Sequence, residues 1–172
     1  YAQLERMPRG VHAEVGEPDP EQPTAALLVG GYSGIGIHSM LNIFRAFPGF
    51  YKNLVFLSVG VVDSGGFKGE NALKELHQSV EKSLRQYVDL AREWGVPATY
   101  RMGIGTDAVE EADKLCLSVV KEFPRTTFFG GQLIFRREFW YQRLLHNDTA
   151  YAIQRRLQWH GMTMVILPAR VE

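Results

Sequence analysis

Hydrophobic residues along the chain alternate between short continuous runs and longer stretches in which they recur every three or four positions. Short apolar runs are typical of strands buried on both faces of a sheet, and the longer period is typical of amphipathic helices. The runs predict strands at residues 25–29, 53–62, 98–104, 126–135 and 162–167. The periodic stretches predict helices over residues 37–47, 73–91, 107–123 and 147–157.

Strands and helices therefore alternate along the chain, which begins and ends its regular structure with a strand. Helices that alternate with apolar strands indicate a parallel sheet with right-handed crossovers and helices on both faces. We expect a three-layer α/β/α fold whose five-stranded parallel sheet has the strand order 3-2-1-4-5. This domain is expected to cover residues 25–172 and to fold without residues 1–24.

Residues 1–24 differ from the rest because prolines interrupt them. They contain four of the eight prolines, Pro8, Pro18, Pro20 and Pro23. Each proline removes an amide donor and fixes φ, so long regular elements are not expected here. We predict a proline-rich linker. Since the sequence starts at Tyr1 and not at methionine, we also expect the domain to be part of a longer protein.

Composition indicates one globular domain and gives no sign of a nucleic-acid or membrane-surface partner. Lys plus Arg and Asp plus Glu both number 19, so no excess charge favours nucleic acid or a membrane surface. The one cysteine cannot form an internal disulfide, which favours a cytosolic setting. The apolar runs are shorter than the roughly 18 residues that a membrane span needs. We expect no nucleic-acid partner.

A glycine-rich turn joins the first predicted strand to the first predicted helix. Backbone amides at such a helix start can bind phosphate, because they point outward at the positive end of the helix dipole. The spacing G-x-x-x-G-x-G is also seen in short-chain dehydrogenases, and Asp63 ends the second strand, where a ribose-binding acid belongs. The candidate cofactor-binding residues are Gly30, Gly31, Ser33, Gly34, Gly36 and Asp63.

Two observations argue against a dehydrogenase. No tyrosine is followed four residues later by lysine, so the usual catalytic pair is missing. Asp63 lies further past Gly36 than the roughly 20 residues expected after the fingerprint. We therefore favour a turn whose glycines let the helix pack closely on the strand, with no bound cofactor.

Other residues that could carry chemistry have simpler interpretations. The five histidines lack the spacing of a metal site, and Cys116 lies on the apolar stripe of the third predicted helix. We expect no metal site and no catalytic residue, and we expect Cys116 to be a buried, unreactive thiol.

The second half of the chain contains the segments FFGGQLIF and LLHNDTAYAIQRRLQWHGMTMVILP. In this half the chain resembles the universal stress protein family, in which the fourth strand leads to a glycine-rich phosphate loop, a helix and a terminal apolar strand. Gly130 or Gly131 falls at the first glycine of the loop, and residues 147–149 fall at its end. The resemblance implies the stress-protein fold over residues 25–171.

The same comparison predicts that the nucleotide site of that family is lost. Phe139, Trp140 and Tyr141 stand where the loop would have glycines. Asp148 would place a carboxylate at the start of the last helix, where it would repel a phosphate. We therefore expect ATP and NAD to bind weakly or not at all.

Four longer segments read LLVGGYSGIGIHSM, YKNLVFLSVGVVDSG, YRMGIGTDAVEEADKLC and FFGGQLIFRREFWYQRLLHNDTAYAIQRRLQW. They resemble the cytoplasmic C-terminal domain of bacterial amino-acid permeases of the amino acid–polyamine–organocation type. The resemblance implies a non-catalytic regulatory or assembly domain at the cytoplasmic face of the membrane, in contact with the transmembrane part of its own transporter. The alternatives are a free-standing ATP-binding stress protein and an NAD(P)-binding reductase fragment.

Two surfaces are candidates for partner binding. Arginine and aromatic residues, the usual anchors of interfaces, are interleaved after the fourth strand, although a solvated helix face is an equal alternative. The candidates there are Arg136, Arg137, Trp140, Tyr141 and Arg143. The last strand, which includes Val165, ends the predicted sheet as an exposed apolar edge. We expect a two-fold homodimer through residues 162–171, unless the linker folds back over this edge.

Overall fold

The structure is a computed structural model that describes residues 14–62, 69–135 and 140–171, with side chains described for residues 14–62, 69–131 and 149–167. Within these residues, strands and helices alternate as the hydrophobic pattern predicts. The strands are β1 (Thr24–Leu28), β2 (Asn53–Val61), β3 (Ala98–Gly105), β4 (Thr126–Phe135) and β5 (Met164–Val171). The helices are α1 (Gly34–Ala46), α2 (Glu70–Glu93), α3 (Ala108–Glu122) and α4 (Trp140–Trp159).

The five strands form one sheet in the order β3-β2-β1-β4-β5, and every neighbouring pair is parallel. This arrangement confirms the predicted fold class and strand order. β1 lies at the centre, where Ala25, Ala26 and Leu27 are fully buried. The continuous apolar run of β1 is explained by this position, because both faces of a central parallel strand are covered.

Each face of the sheet is covered by two helices. Side chains of α1 and α2 form one core with sheet residues such as Leu27, Phe56 and Phe129. Side chains of α3 and α4 form a second core on the other face, with sheet residues such as Ala26 and Phe128. Successive strand residues point to opposite faces, so one apolar run supplies both cores.

The described end of the predicted linker is bonded to the amino-terminal edge of the sheet. The Asn53 side-chain amide donates to the Asp19 carbonyl at 2.6 Å and to the Thr24 hydroxyl at 3.0 Å. The Asp19 amide donates back to Asn53 Oδ1 at 3.2 Å, and Arg92 pairs with Glu17 at 2.8 Å. β1 also begins one residue inside the predicted linker, at Thr24. Residues 17–24 therefore contribute polar contacts to the domain.

β4 runs without interruption through Gly130 and Gly131, one of which falls at the first glycine of the phosphate loop in the resemblance to the stress proteins. Gly130 pairs with Leu28 of β1, and both glycines pair with residues of β5. A β-carbon on Gly130 would lie 2.7 Å from Met164 Cε, and one on Gly131 would lie 3.0 Å from Ser39 Oγ. The two glycines therefore allow close packing on the two faces of a continuous strand, which explains them without a phosphate loop.

The last helix begins earlier than predicted, at Trp140 instead of at residues 147–149. Asp148 therefore lies inside α4, and its predicted position at the start of the last helix is wrong. A capping pattern such as Asn-Asp-Thr competes with the helix formers that precede it, here Gln142, Leu144 and Leu145. In this chain the helix continues through the pattern.

Candidate functional site

At the carboxyl-terminal edge of the sheet β1 is shorter than its two neighbours, and we call the position beyond its end, between β2 and β4, the crevice. β1 ends at Leu28, which pairs with Leu57 of β2 and with Gly130 of β4. β2 continues through residues 58–61 and β4 through residues 131–135. From β1 the sheet is extended on one side by β2 and β3 and on the other side by β4 and β5. Open parallel sheets commonly bind ligands where the strand order reverses in this way.

The turn between β1 and α1, residues 29–33, forms the floor of the crevice. The Val29 amide extends the pairing of β1 with β2 by donating to the Leu57 carbonyl at 2.8 Å. Ser33 is the N-cap of α1, and its side chain makes no capping hydrogen bond. The first turn of α1 carries no acidic residue, so no side chain of that turn neutralises the positive end of the helix dipole.

Tyr87 of α2 fills the space beside this turn. Its fully buried ring stacks on Phe56 with centroids 5.3 Å apart and tilts against Tyr32 at 4.9 Å. Its hydroxyl donates to the Gly31 carbonyl at 3.1 Å and accepts from the Ser33 amide at 3.2 Å. The buried hydroxyl is thereby satisfied as both donor and acceptor, and the Ser33 amide is already in use.

The glycines of the turn have two different explanations. A β-carbon on Gly36 would lie 1.9 Å from the Tyr87 hydroxyl oxygen, so Gly36 is needed to seat the tyrosine. Beta-carbons on Gly30, Gly31 and Gly34 would have no described atom within 4 Å, and none of these residues has a positive φ. As far as the described residues show, neither packing nor backbone conformation requires glycine at these three positions. They leave the backbone open to close approach by a ligand.

The predicted cofactor-binding residues are mostly brought together by the fold. Asp63 lies outside the described residues, so its predicted role is untested. The remaining members lie in the crevice floor and the first turn of α1: Gly30, Gly31, Ser33, Gly34 and Gly36.

The predicted partner-binding residues lie on two other elements. Arg136 and Arg137 are outside the described residues. Trp140, Tyr141 and Arg143 lie in the first turns of α4, where the backbone alone is described. Val165 lies in β5, the edge strand of the sheet, but its side chain is half-buried against the core shared with α1 and α2.

Cys116 is buried in α3, away from the crevice, as predicted. Burial, together with the charge of nearby Asp113, raises the pKa of the Cys116 thiol to about 12. The thiol therefore stays protonated near neutral pH and is a poor nucleophile. Among the residues for which the structure gives side chains, no group of three or more His, Cys, Asp or Glu residues could hold a metal ion.

A cluster of polar side chains joins α2 to β3 outside the crevice. Glu81 accepts hydrogen bonds from Arg85 and from the Tyr100 hydroxyl, each at 2.8 Å. The bond from Arg85, followed by that from Tyr100, lowers the pKa of Glu81. The same carboxylate raises the pKa of Tyr100. Since every member has a partner, the cluster is explained as a structural tie between the helix and the sheet.

The residue that the sequence did not reveal as part of the site is Tyr87. It falls on the apolar stripe of α2 and is predicted only as a core residue. Its partners Ser33 and Gly31 are 54 and 56 positions away, so the contact is purely tertiary. A glycine on the buried face of a helix, as at Gly36, was the available signal that a large side chain from elsewhere packs there.

Comparisons with known proteins agree with this architecture. The chain matches no protein-family model and no curated protein. It is similar in structure to a universal stress protein family member from Burkholderia pseudomallei, with a TM-score of 0.59 and 12% identity over 88% of this chain and 100% of that one. It is also similar to a universal stress protein from Archaeoglobus fulgidus, with a TM-score of 0.56 and 10% identity over 85% of this chain and 93% of that one.

No helix in the described parts of the chain combines the length and apolar character needed to cross a membrane. The five-stranded parallel sheet in the order 3-2-1-4-5, the four covering helices and the solved relatives all agree. The chain therefore has the fold of the universal stress proteins.

Proposed function

We propose that this chain is a non-catalytic domain with the stress-protein fold that serves as the cytoplasmic regulatory or assembly domain of a membrane amino-acid transporter. The proposal that the domain is non-catalytic rests on one observation: residues of the crevice floor are used for contacts within the fold. The Tyr87 hydroxyl takes up the Ser33 amide and the Gly31 carbonyl, and β4 runs without a loop through Gly130 and Gly131. One amide and one carbonyl of the turn are thereby bonded within the fold and not left for a nucleotide.

The link to a transporter is supported by the sequence. Four long segments, spread from the glycine turn to α4, resemble the C-terminal domain of amino-acid permeases. In this proposal the partner is the transmembrane part of the same protein, on the cytoplasmic side. The test is to sequence the gene upstream of the codon for Tyr1. The proposal requires hydrophobic stretches of about 20 residues each in the same reading frame, and an initiation codon just upstream would contradict it.

A second candidate function is that of a free-standing, nucleotide-binding stress protein. The observation that favours it concerns Gly30, Gly31 and Gly34, where no contact with the part of the chain that the structure describes and no positive φ requires glycine. The amides that follow Ser33 at the start of α1 are the groups that a phosphate would use. The comparisons give no indication of a reductase, and we do not propose that activity.

Calorimetry with ATP separates the two candidates. We expect no saturable heat at millimolar ATP, because the crevice floor is engaged by Tyr87 and the chain lacks a glycine loop after β4. A dissociation constant near one micromolar, equivalent to about −8 kcal/mol, would favour the second candidate. Asp148→Ser serves as a control. Since Asp148 lies inside α4, this change is expected to leave the titration unaltered.

We also propose that two copies of the domain pair through β5. The Phe128 amide donates to the Thr163 carbonyl at 3.0 Å, and backbone groups of successive strand residues point to alternate sides. The backbone groups of Thr163 and Val165 therefore point to β4, and those of Ile166 and Arg170 point to the open edge. Pro168 falls on the open side as well, where its missing amide disrupts no bond to β4.

Arg170→Pro tests this pairing, because it removes an outward backbone donor while leaving the bonds to β4 in place. We expect sedimentation equilibrium to show a dimer whose dissociation constant rises about tenfold in Arg170→Pro, the worth of one to two hydrogen bonds. Arg170→Ala, which keeps the amide, is the matched control. A monomeric parent domain, or equal constants for both variants, would contradict the edge interface. Val165→Lys is unsuitable because Val165 packs against the core.

A further inference from the structure

The amide of Ser33 has a partner of an unusual kind. The first amides of a helix have no partner within the helix and are commonly satisfied by a side chain, by water or by a ligand. Ser33 is the N-cap of α1, and its own side chain makes no capping bond. Its amide instead donates to the Tyr87 hydroxyl, which is contributed by a helix 54 positions away in the sequence.

The surroundings of this hydroxyl favour a single fixed position. The Tyr87 ring is fully buried between Phe56, on which it stacks, and Tyr32, which it meets at an interplanar angle of 57°. The hydroxyl also donates a hydrogen bond to the carbonyl of Gly31, which precedes Ser33 in the same turn. One oxygen atom therefore bridges a donor and an acceptor that lie two residues apart.

Gly36 supplies the room that this arrangement needs. A β-carbon there would lie 1.9 Å from the hydroxyl oxygen and 2.5 Å from the ring carbon that bears it. Gly34, two residues earlier, is not restricted in this way, because a β-carbon there would meet no described atom within 4 Å. The close fit is thus confined to the place where the tyrosine enters.

We propose that the Tyr87 hydroxyl acts as an internal ligand of the glycine turn and so occupies the Ser33 amide and the Gly31 carbonyl in the crevice floor. We call this interaction the latch. The hydroxyl occupies the place that an oxygen atom of an external oxyanion would take on the Ser33 amide, and it holds the Gly31 carbonyl at the same time. An oxyanion that uses the Ser33 amide must first displace Tyr87. This inference concerns the turn alone and does not depend on the link to a transporter.

Native-state hydrogen exchange, measured by NMR at the Ser33 amide, tests the latch. In the parent domain we expect Ser33 to be protected, although an N-cap amide without a partner would exchange freely. In Tyr87→Phe, which keeps the ring but removes the hydroxyl, we expect exchange at Ser33 to become about tenfold faster relative to the core amide of Val55. An unprotected Ser33 amide in the parent domain would overturn the proposal.

Tyr100→Phe is the matched control, because it removes a hydrogen-bonded hydroxyl from another tyrosine that contacts α2. It should leave exchange at Ser33 unchanged, and an equal acceleration in both variants would contradict a specific latch. If Tyr87→Phe fails to fold, the parent domain still decides the matter through its Ser33 protection. Millimolar inorganic phosphate should not shift the Ser33 amide signal of the parent domain, and a saturable shift would overturn the proposal that Tyr87 occupies the Ser33 amide in place of an oxyanion.

Discussion

Replacing Gly36 with alanine is expected to lower the free energy of unfolding by about 3 kcal/mol. The new β-carbon would lie 1.9 Å from the Tyr87 hydroxyl oxygen and within 2.8 Å of two ring carbons. The ring cannot yield easily, since it is fully buried and stacked on Phe56. Overpacking costs about 1–3 kcal/mol, and losing the two hydroxyl bonds adds about 1 kcal/mol each. The better helix propensity of alanine offsets about 1 kcal/mol of this loss.

Gly34→Ala is the matched control for this experiment. Gly34 is the first residue of α1, and a β-carbon there would meet no described atom within 4 Å. Because its φ is not positive, alanine is compatible with its backbone, and we expect a change between zero and about 1 kcal/mol of stabilisation. Urea unfolding of both variants measures the difference. Equal stabilities for Gly36→Ala and Gly34→Ala would show that Tyr87 is not seated against Gly36.

Truncating Phe129 to alanine is expected to cost about 4 kcal/mol of unfolding free energy. Phe129 is fully buried in β4 and makes edge contacts with Tyr51 and Phe47, at centroid distances of 5.5 and 6.0 Å. It is held between its neighbours β1 and β5, so the cavity left behind has little freedom to collapse. Phenylalanine-to-alanine changes at such sites cost about 3–5 kcal/mol.

Phe50→Ala is the control that separates burial from aromatic contact. Phe50 also meets Tyr51 edge-on, with centroids 4.9 Å apart, but its side chain is 54% exposed. We expect its loss to cost about 1 kcal/mol, the size of an aromatic pair interaction. Thermal or urea unfolding of the two variants checks this order. A cost for Phe50→Ala that equals the cost for Phe129→Ala would contradict the assignment of the core.

The sequence predicts the sheet well because the strands and helices can be identified from patterns of neighbouring residues. Apolar runs such as that of β1 and the helical spacing between them determine the element order, and the rules for parallel sheets then leave few topologies. Local chemistry also predicts the start of α3. Asp107, with Glu110 three positions later, has the pattern of a capping box, and Asp107 accepts hydrogen bonds from the Val109 and Glu110 amides. Glu110 completes a different contact, an ion pair with Lys114 at 2.9 Å.

The features that the sequence does not predict depend on contacts between distant residues. Gly130 and Gly131 resemble a strand break locally, yet Met164 and Ser39 pack into the space that they leave in β4. The role of Tyr87 likewise depends on how α2 is placed beside the glycine turn. Hydrophobic spacing identifies such a residue as buried, but it does not show which polar groups its hydroxyl will reach.

The crevice illustrates how one fold carries different functions. Open parallel sheets provide a cleft where the chain reverses its winding, and the side chains placed there decide its use. In this chain Tyr87 engages the floor of that cleft, whereas no atom of the described residues lies within 4 Å of a β-carbon placed on Gly30, Gly31 or Gly34. The proposed role as a regulatory or assembly domain therefore places the function at the surfaces of the domain, with the β5 edge as the first candidate.

The most direct test of the proposed function is to find where the native protein resides. An antibody raised against residues 24–171 should detect, in cells that express the gene, a protein much larger than the 19.5 kDa of this chain. The proposal predicts that this protein sediments with membranes and stays there after extraction with alkaline carbonate. A band of about 19.5 kDa in the soluble fraction would contradict the transporter assignment and favour a free-standing stress protein.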